Sequence, residues 1–162
     1  MLEHACLWLS APTAAGPLAP AAGGRVRAIL DAASRELLGH LTLHSRRWPW
    51  GRGRRFAAYE APDASLLFTG SAVGWLRRTT AVEEADGHLV AVVRGDYLLS
   101  PAGGFLAVHQ QAAHGRCGRF VGPTGADLAQ WEANGVGTLI RFAPAVFGEP
   151  FVKMGLIAAL IG

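Results

Sequence analysis

The most concentrated group of chemically active side chains in this sequence is a basic, aromatic segment. Residues 45–55 read SRRWPWGRGRR, with five arginines, two tryptophans and no acidic residue. A guanidinium group binds phosphate oxygens through paired N–H donors, and tryptophan suits the boundary between lipid headgroups and acyl chains. The predicted anion-binding residues here are Arg46, Arg47, Arg52, Arg54 and Arg55, and the predicted interface residues are Trp48 and Trp50.

Arg77 and Arg78, close to Trp75, repeat this composition and are predicted to extend the same patch. Three interpretations of the patch stay open. It binds an anionic membrane surface, it binds single-stranded nucleic acid with tryptophan as a stacking platform, or it is a solvated hairpin loop whose tryptophans pack onto the domain. Of the two functional interpretations we favour the membrane, because a net charge of +3 does not by itself predict nucleic-acid binding.

The other chemically active side chains do not form a catalytic or metal-binding pattern. His109, His114 and Cys117 come closest to metal-ligand spacing, but a zinc site needs three or four ligands held tetrahedrally and a fourth is missing. His40 and His44 lie about 13 Å apart if they share a strand, which is too far for one metal. The sequence has no nucleophile elbow and no phosphate-binding loop. We therefore predict a non-enzymatic protein without metal or cofactor.

Short apolar or alternating runs recur at intervals of about ten residues from residue 25 onwards, separated by turn residues. Residues 25–31 alternate in polarity, and Asp86-Gly87 between residues 79–84 and 88–94 is a strong hairpin signal. This pattern predicts a β-sandwich or a β-barrel. Strands and helices do not alternate along the chain, which argues against a parallel α/β sheet.

The end of the chain predicts one helix. Residues 151–161, FVKMGLIAALI, are apolar on every face beyond Lys153, and Pro150 suits the first turn of a helix. A helix that is apolar all round must be buried, yet eleven residues span only about 16 Å against a bilayer core of about 30 Å. The predicted fold is therefore all-β: a closed antiparallel barrel of about 12 short strands around a buried hydrophobic C-terminal helix.

Residues 11–24, APTAAGPLAPAAGG, show neither periodicity nor charge. We therefore predict a flexible Ala/Pro/Gly-rich arm over residues 1–24, followed by one barrel domain over residues 25–162. Within the arm two alternatives stay open for Cys6–Ser10, an edge strand or disorder. Cys6 and Cys117 show no disulfide or zinc spacing, and no apolar run is long enough to span a membrane. We expect a cytoplasmic protein whose contact with membranes is peripheral.

Many short strands followed by one apolar helix is an order that resembles the tubby-like C-terminal superfamily, which includes the LURP-one-related proteins and the phospholipid scramblases. Residues 137–144 (GTLIRFAP), Val146 and residues 152–161 (VKMGLIAALI) are similar to the scramblase pattern of a last strand, a Phe-x-Pro step, a lysine and an apolar helix. Residues 29–31 and 82–90 are similar to its repeated units of strand, Asp, small turn and strand. The resemblance covers about residues 25–162 and implies a barrel wrapped around a hydrophobic helix.

The resemblance also implies association with anionic phospholipid or membrane surfaces. Scramblases carry an Asp-rich calcium-binding segment before the helix, but residues 145–150 hold only Glu149 where calcium prefers six to eight oxygen ligands, so we expect no calcium site. Two alternatives stay open. One is a soluble barrel that carries a hydrophobic ligand, which requires an open lumen. The other is a nucleic-acid- or protein-binding module that uses the Arg/Trp segment.

Overall fold

The fold is an antiparallel β-sheet followed by one helix. The computed structural model describes residues 1–14, 25–44, 54–73 and 79–161. The elements in these ranges are β1 (Cys6–Ser10), β2 (Thr13–Ala14), β3 (Arg25–Asp31), β4 (Leu37–Leu43), β5 (Arg54–Glu60), β6 (Leu66–Ala72), β7 (Thr79–Glu84), β8 (Leu89–Arg94), β9 (Tyr97–Leu99), β10 (Phe105–Gln111), β11 (Cys117–Val121), β12 (Asp127–Asn134), β13 (Gly137–Phe142), a 3-10 turn (Pro144–Val146) and α1 (Pro150–Ile161).

The sheet closes into a barrel through its first strand. From β3 to β13 each strand pairs with its neighbour in the chain, and β1 pairs with β13 on one side and with β3 on the other. Leu7 lies opposite both Ile140 and Asp31 at this closure. Twelve strands thus form a closed ring, and the short β2 extends the pairing of β3. The predicted closed antiparallel barrel is confirmed.

The N-terminal segment differs from its prediction. We predicted an arm over residues 1–24, but Cys6–Ser10 form a strand within the ring. Leu7 and Leu9 are fully buried, so burial of their side chains and two ladders of backbone hydrogen bonds hold this strand in place. Residues 15–24 lie outside the described part of the chain.

The barrel encloses the C-terminal helix. Six consecutive residues, 153–158, are buried. Because successive residues point about 100° apart around a helix axis, six of them cover every direction. The helix packs against β7, β8 and β9, and its buried side chains belong to one core with those of the strands. The largest fully buried strand side chains in that core are Leu7, Leu9, Ile29, Leu41, Phe56, Phe68, Leu98, Phe120 and Ile140.

A glycine allows the helix to lie close to the barrel wall. A Cβ atom built on Gly155 would lie 2.7 Å from Leu98 Cδ1 and 3.3 Å from Ala91 Cβ. Leu98 and Ala91 are themselves buried in β9 and β8, so neither can easily move away. The lack of a Cβ atom at Gly155 therefore allows α1 to lie this close to β8 and β9.

No helix in the described ranges is long and apolar enough to cross a membrane.

Candidate functional site

The two ends of the barrel carry different sets of connections. Since neighbouring strands are antiparallel, successive connections alternate between the ends. One end carries the connections β3–β4, β5–β6, β7–β8, β9–β10 and β11–β12 and the start of α1, and we call it the acidic end. The opposite end carries the connections β2–β3, β4–β5, β6–β7, β8–β9, β10–β11 and β12–β13, and we call it the basic end.

Carboxylates are concentrated at the acidic end. All twelve Asp and Glu residues of the sequence lie in the described ranges. Ten of them adjoin the acidic end: Glu3, Asp31, Glu36, Glu60, Asp63, Glu83, Glu84, Asp86, Asp127 and Glu149. The other two are exposed at the basic end: Asp96 lies in the β8–β9 connection, and Glu132 lies near the end of β12.

Most of the described arginines lie toward the basic end, although Arg35 is exposed in the β3–β4 connection at the acidic end. Arg25 begins β3, Arg94 ends β8 and Arg116 immediately precedes β11, so all three adjoin the basic end, and their side chains are exposed. Arg54 begins β5 at the same end, followed by Arg55. Among the described residues, arginines therefore outnumber carboxylates at the basic end, and carboxylates predominate at the acidic end.

The predicted Arg/Trp segment falls mostly outside the described residues. This applies to Arg46, Arg47, Trp48, Trp50, Arg52, Arg77 and Arg78. Their flanking residues are described: Leu43 and Arg54 bound the β4–β5 connection, and Ala72 and Thr79 bound the β6–β7 connection. Both connections begin and end at the basic end, with the paired strands β5 and β6 between them. The described strands that flank these two segments therefore end at the same end of the barrel.

Sequence reasoning missed a further arginine in the same half of the barrel. Arg27 of β3 is half-buried; its Nε donates to the Ser10 carbonyl at 2.7 Å and its Nη2 to Thr138 Oγ1 at 3.1 Å. Burial lowers the pKa of this guanidinium. The three ion pairs found among the described residues do not include Arg27, so neutral oxygens of β1 and β13 compensate its charge. Only the cross-strand register brings these groups together.

His109 has a structural role. Trp131 Nε1 donates to His109 Nε2 at 2.9 Å, and the imidazole stacks on Phe120 with 4.7 Å between ring centroids. Burial lowers the pKa of His109, although the charge of Asp96 opposes this. A neutral imidazole thus satisfies the indole N–H of a buried tryptophan. The described part of the chain contains no group of three or more His, Cys, Asp or Glu side chains that could hold a metal ion.

Comparison with models of known families, with curated proteins and with solved structures finds no match to this chain. The class of the protein is therefore defined by its own architecture. It is a closed antiparallel β-barrel that encloses a C-terminal helix, with a basic end and an acidic end.

Proposed function

We propose that this chain is a non-enzymatic, cytoplasmic domain that associates through its basic end with anionic phospholipid or membrane surfaces. The separation of charge along the barrel is the observation that carries the proposal. A seven-residue strand spans roughly 17 Å along the axis of a tilted barrel. This exceeds the Debye length of about 10 Å at 0.1 M salt. The carboxylates of the acidic end would therefore be screened from a membrane that touches the basic end.

The magnitude of the attraction indicates which arginines must take part. Each basic residue close to an anionic leaflet contributes roughly 1 kcal/mol. The exposed Arg25, Arg94 and Arg116 would therefore give about 3 kcal/mol, which is weaker than millimolar binding. The five arginines of residues 45–55 would raise the total to about 8 kcal/mol, which corresponds to micromolar affinity. Micromolar binding therefore requires the arginines of residues 45–55 in addition to Arg25, Arg94 and Arg116.

The filled lumen argues against the alternative of a soluble carrier. A carrier needs an open cavity for its hydrophobic ligand, but α1 and the core side chains of the strands occupy the barrel interior. The same arrangement agrees with the architecture that the resemblance to LURP-one-related proteins and scramblases implies. Membership of the tubby-like superfamily is therefore part of the proposal.

Vesicle co-sedimentation tests this function. The wild-type protein is expected to sediment with phosphatidylcholine vesicles that contain phosphatidylserine, but not with phosphatidylcholine alone, at about 50 mM salt, where surface charges are only lightly screened. Replacing Arg46, Arg47, Arg52, Arg54 and Arg55 by alanine should weaken binding more than roughly hundredfold, because five contributions of roughly 1 kcal/mol are lost.

Circular dichroism of both proteins is the control for folding. Equal binding to neutral vesicles, or no binding to anionic vesicles at low salt, would exclude the lipid proposal. If the wild type binds a single-stranded oligonucleotide but does not bind vesicles, the result supports the alternative that the same arginines bind nucleic acid.

A further inference from the structure

We propose that His109 forms an acid-sensitive link that holds β10 to β12 across the strand between them, β11. The inference goes beyond the proposed function, because it concerns how the barrel responds to pH and not what it binds. It depends on a hydrogen bond from Trp131 that only the neutral form of His109 can accept.

The indole of Trp131 reaches from β12 over β11 to β10. Trp131 lies opposite Gly118 of β11, and Gly118 lies opposite Gln111 of β10. A Cβ atom built on Gly118 would lie 2.7 Å from Trp131 Nε1, so a larger residue at this position would collide with the indole. The free space over Gly118 lets Trp131 Nε1 donate to His109 Nε2 at 2.9 Å. The bond therefore joins two strands that do not pair with each other.

Both side chains of this link lie on the inner face of the barrel. Trp131 is 6% exposed and belongs to the hydrophobic core. His109 is half-buried, and its ring stacks on the buried Phe120. A buried N–H without an acceptor is costly. His109 therefore supplies the acceptor that the buried indole needs.

Protonation of His109 turns this acceptor into a donor. A neutral imidazole accepts at Nε2 only as the tautomer that carries its proton on Nδ1. Protonation adds an N–H at Nε2, so two N–H groups would face each other across 2.9 Å. The imidazolium must then turn away from the indole. This leaves the Trp131 N–H without its acceptor and breaks the link between β10 and β12.

The surroundings of His109 favour its neutral form. Titratable groups on the neighbouring elements are Asp96 before β9, Tyr97 in β9, His114 and Arg116 in the β10–β11 connection, Cys117 and Arg119 in β11, Asp127 and Glu132 in β12, and Lys153 in α1. Arg119 and Glu132 are exposed and alternate with the buried Phe120 and Trp131, so they point to the outer face. Burial lowers the pKa of His109, and the charge of Asp96 opposes this with a smaller effect.

Stability should therefore fall when the pH falls. The ordinary pKa of histidine, 6.5, applies to the unfolded chain. Between 6.5 and the lowered pKa of the folded protein, the unfolded chain binds a proton that the folded chain does not. The contribution of the link is thus fully present above pH 6.5 and is lost progressively below it. At about pH 5 one such histidine can raise the unfolding equilibrium constant by at most about thirtyfold.

Comparison of the wild type with His109→Gln measures this contribution. Glutamine offers the indole a carbonyl oxygen but does not titrate. Urea denaturation at about pH 7 and about pH 5 gives the unfolding equilibrium constant of each protein. Acidification should raise this constant by at least about threefold more in the wild type than in the variant, within the limit of about thirtyfold. The same response to acid in both proteins would overturn the proposal.

Nuclear magnetic resonance tests the hydrogen bond itself. Near neutral pH the imidazole nitrogen shifts of His109 should show a protonated Nδ1 and an unprotonated Nε2. The indole N–H resonance of Trp131 should shift with the same midpoint as the protonation of His109. Trp131→Phe removes the donor and keeps an aromatic ring, so it should raise the pKa of His109, whose neutral form loses a hydrogen bond.

An indole resonance that does not follow the titration of His109, or a His109 pKa that is unchanged in Trp131→Phe, would contradict the link. The titration of the wild type requires no substitution, so it decides the question even where Trp131→Phe does not fold.

Discussion

Replacement of Ile157 by alanine is expected to lower the free energy of unfolding by about 2–5 kcal/mol. Ile157 is fully buried in α1, and alanine would leave a cavity in the barrel interior. Leu156→Ala should cost a similar amount, although the two side chains point about 100° apart around the helix. Met154 is also buried and points about 160° away from Leu156, so a helix packed on one side only would tolerate either Met154→Ala or Leu156→Ala, whereas an enclosed helix should lose stability with both. Urea denaturation of each variant measures the loss.

Phe151→Ala is the matched control in the same helix. Phe151 is 44% exposed, so its truncation should cost less than about 1 kcal/mol. If Leu156→Ala or Ile157→Ala proved as mild as Phe151→Ala, the helix would not be enclosed by the barrel.

Replacement of Lys153 by alanine is expected to cost about 3 kcal/mol or more. Lys153 is fully buried, and its Nζ donates to the Leu2 carbonyl at 2.5 Å and to the His4 carbonyl at 3.2 Å. The ring centroids of Phe142 and Phe147 lie 5.2 and 5.3 Å from Lys153 Nζ. Alanine removes the donor from two carbonyls and leaves a cavity. The free energy of unfolding of the variant, measured near neutral pH, checks this loss.

The pH dependence of stability gives a second measurement on Lys153. Burial lowers its pKa from the ordinary 10.5, opposed by the charge of Glu3. Between the lowered pKa and 10.5, the unfolded chain binds a proton that the folded chain has released, so the contribution of Lys153 to stability rises with pH. Lys153→Met, which keeps the length of the side chain without its charge, should lose this rise. Parallel curves for wild type and Lys153→Met in the alkaline range up to pH 10.5 would contradict the account.

The sequence predicted the elements whose signal is local. Residues 151–161 are apolar on every face, and the observed helix, Pro150–Ile161, begins one residue earlier. The Asp86-Gly87 hairpin is also present, with Gly87 at a φ of 87°. The elements that were missed or left open have little local signal. Cys6–Ser10 becomes part of the barrel only by pairing with strands far along the chain, and Tyr97–Leu99 is too short to show alternation.

The candidate site was predictable by composition but not by position. The Arg/Trp segment stands out in the sequence, whereas the separation of charge becomes visible only when strand direction is known. Most acidic residues lie in or beside alternate connections, such as 32–36, 61–65 and 85–88, and Arg25, Arg94 and Arg116 adjoin connections between them. Assigning to each predicted hairpin turn the charge of its residues would have revealed this pattern. The contacts of Arg27 and His109 depend on cross-strand register, which local composition does not contain.

The central claim is that the position of the arginines, rather than net charge, directs the barrel to anionic surfaces. Two variants that each lose three positive charges test it. The basic-end variant carries Arg25→Gln, Arg94→Gln and Arg116→Gln. The control carries Arg35→Gln, Arg119→Gln and Arg141→Gln, whose exposed side chains lie away from the basic end. With vesicles that contain phosphatidylserine, the basic-end variant should bind roughly a hundredfold more weakly, since three contributions of roughly 1 kcal/mol are lost. The control should stay within about threefold of wild type. Equal losses in the two variants would contradict the claim, because binding would then follow net charge alone.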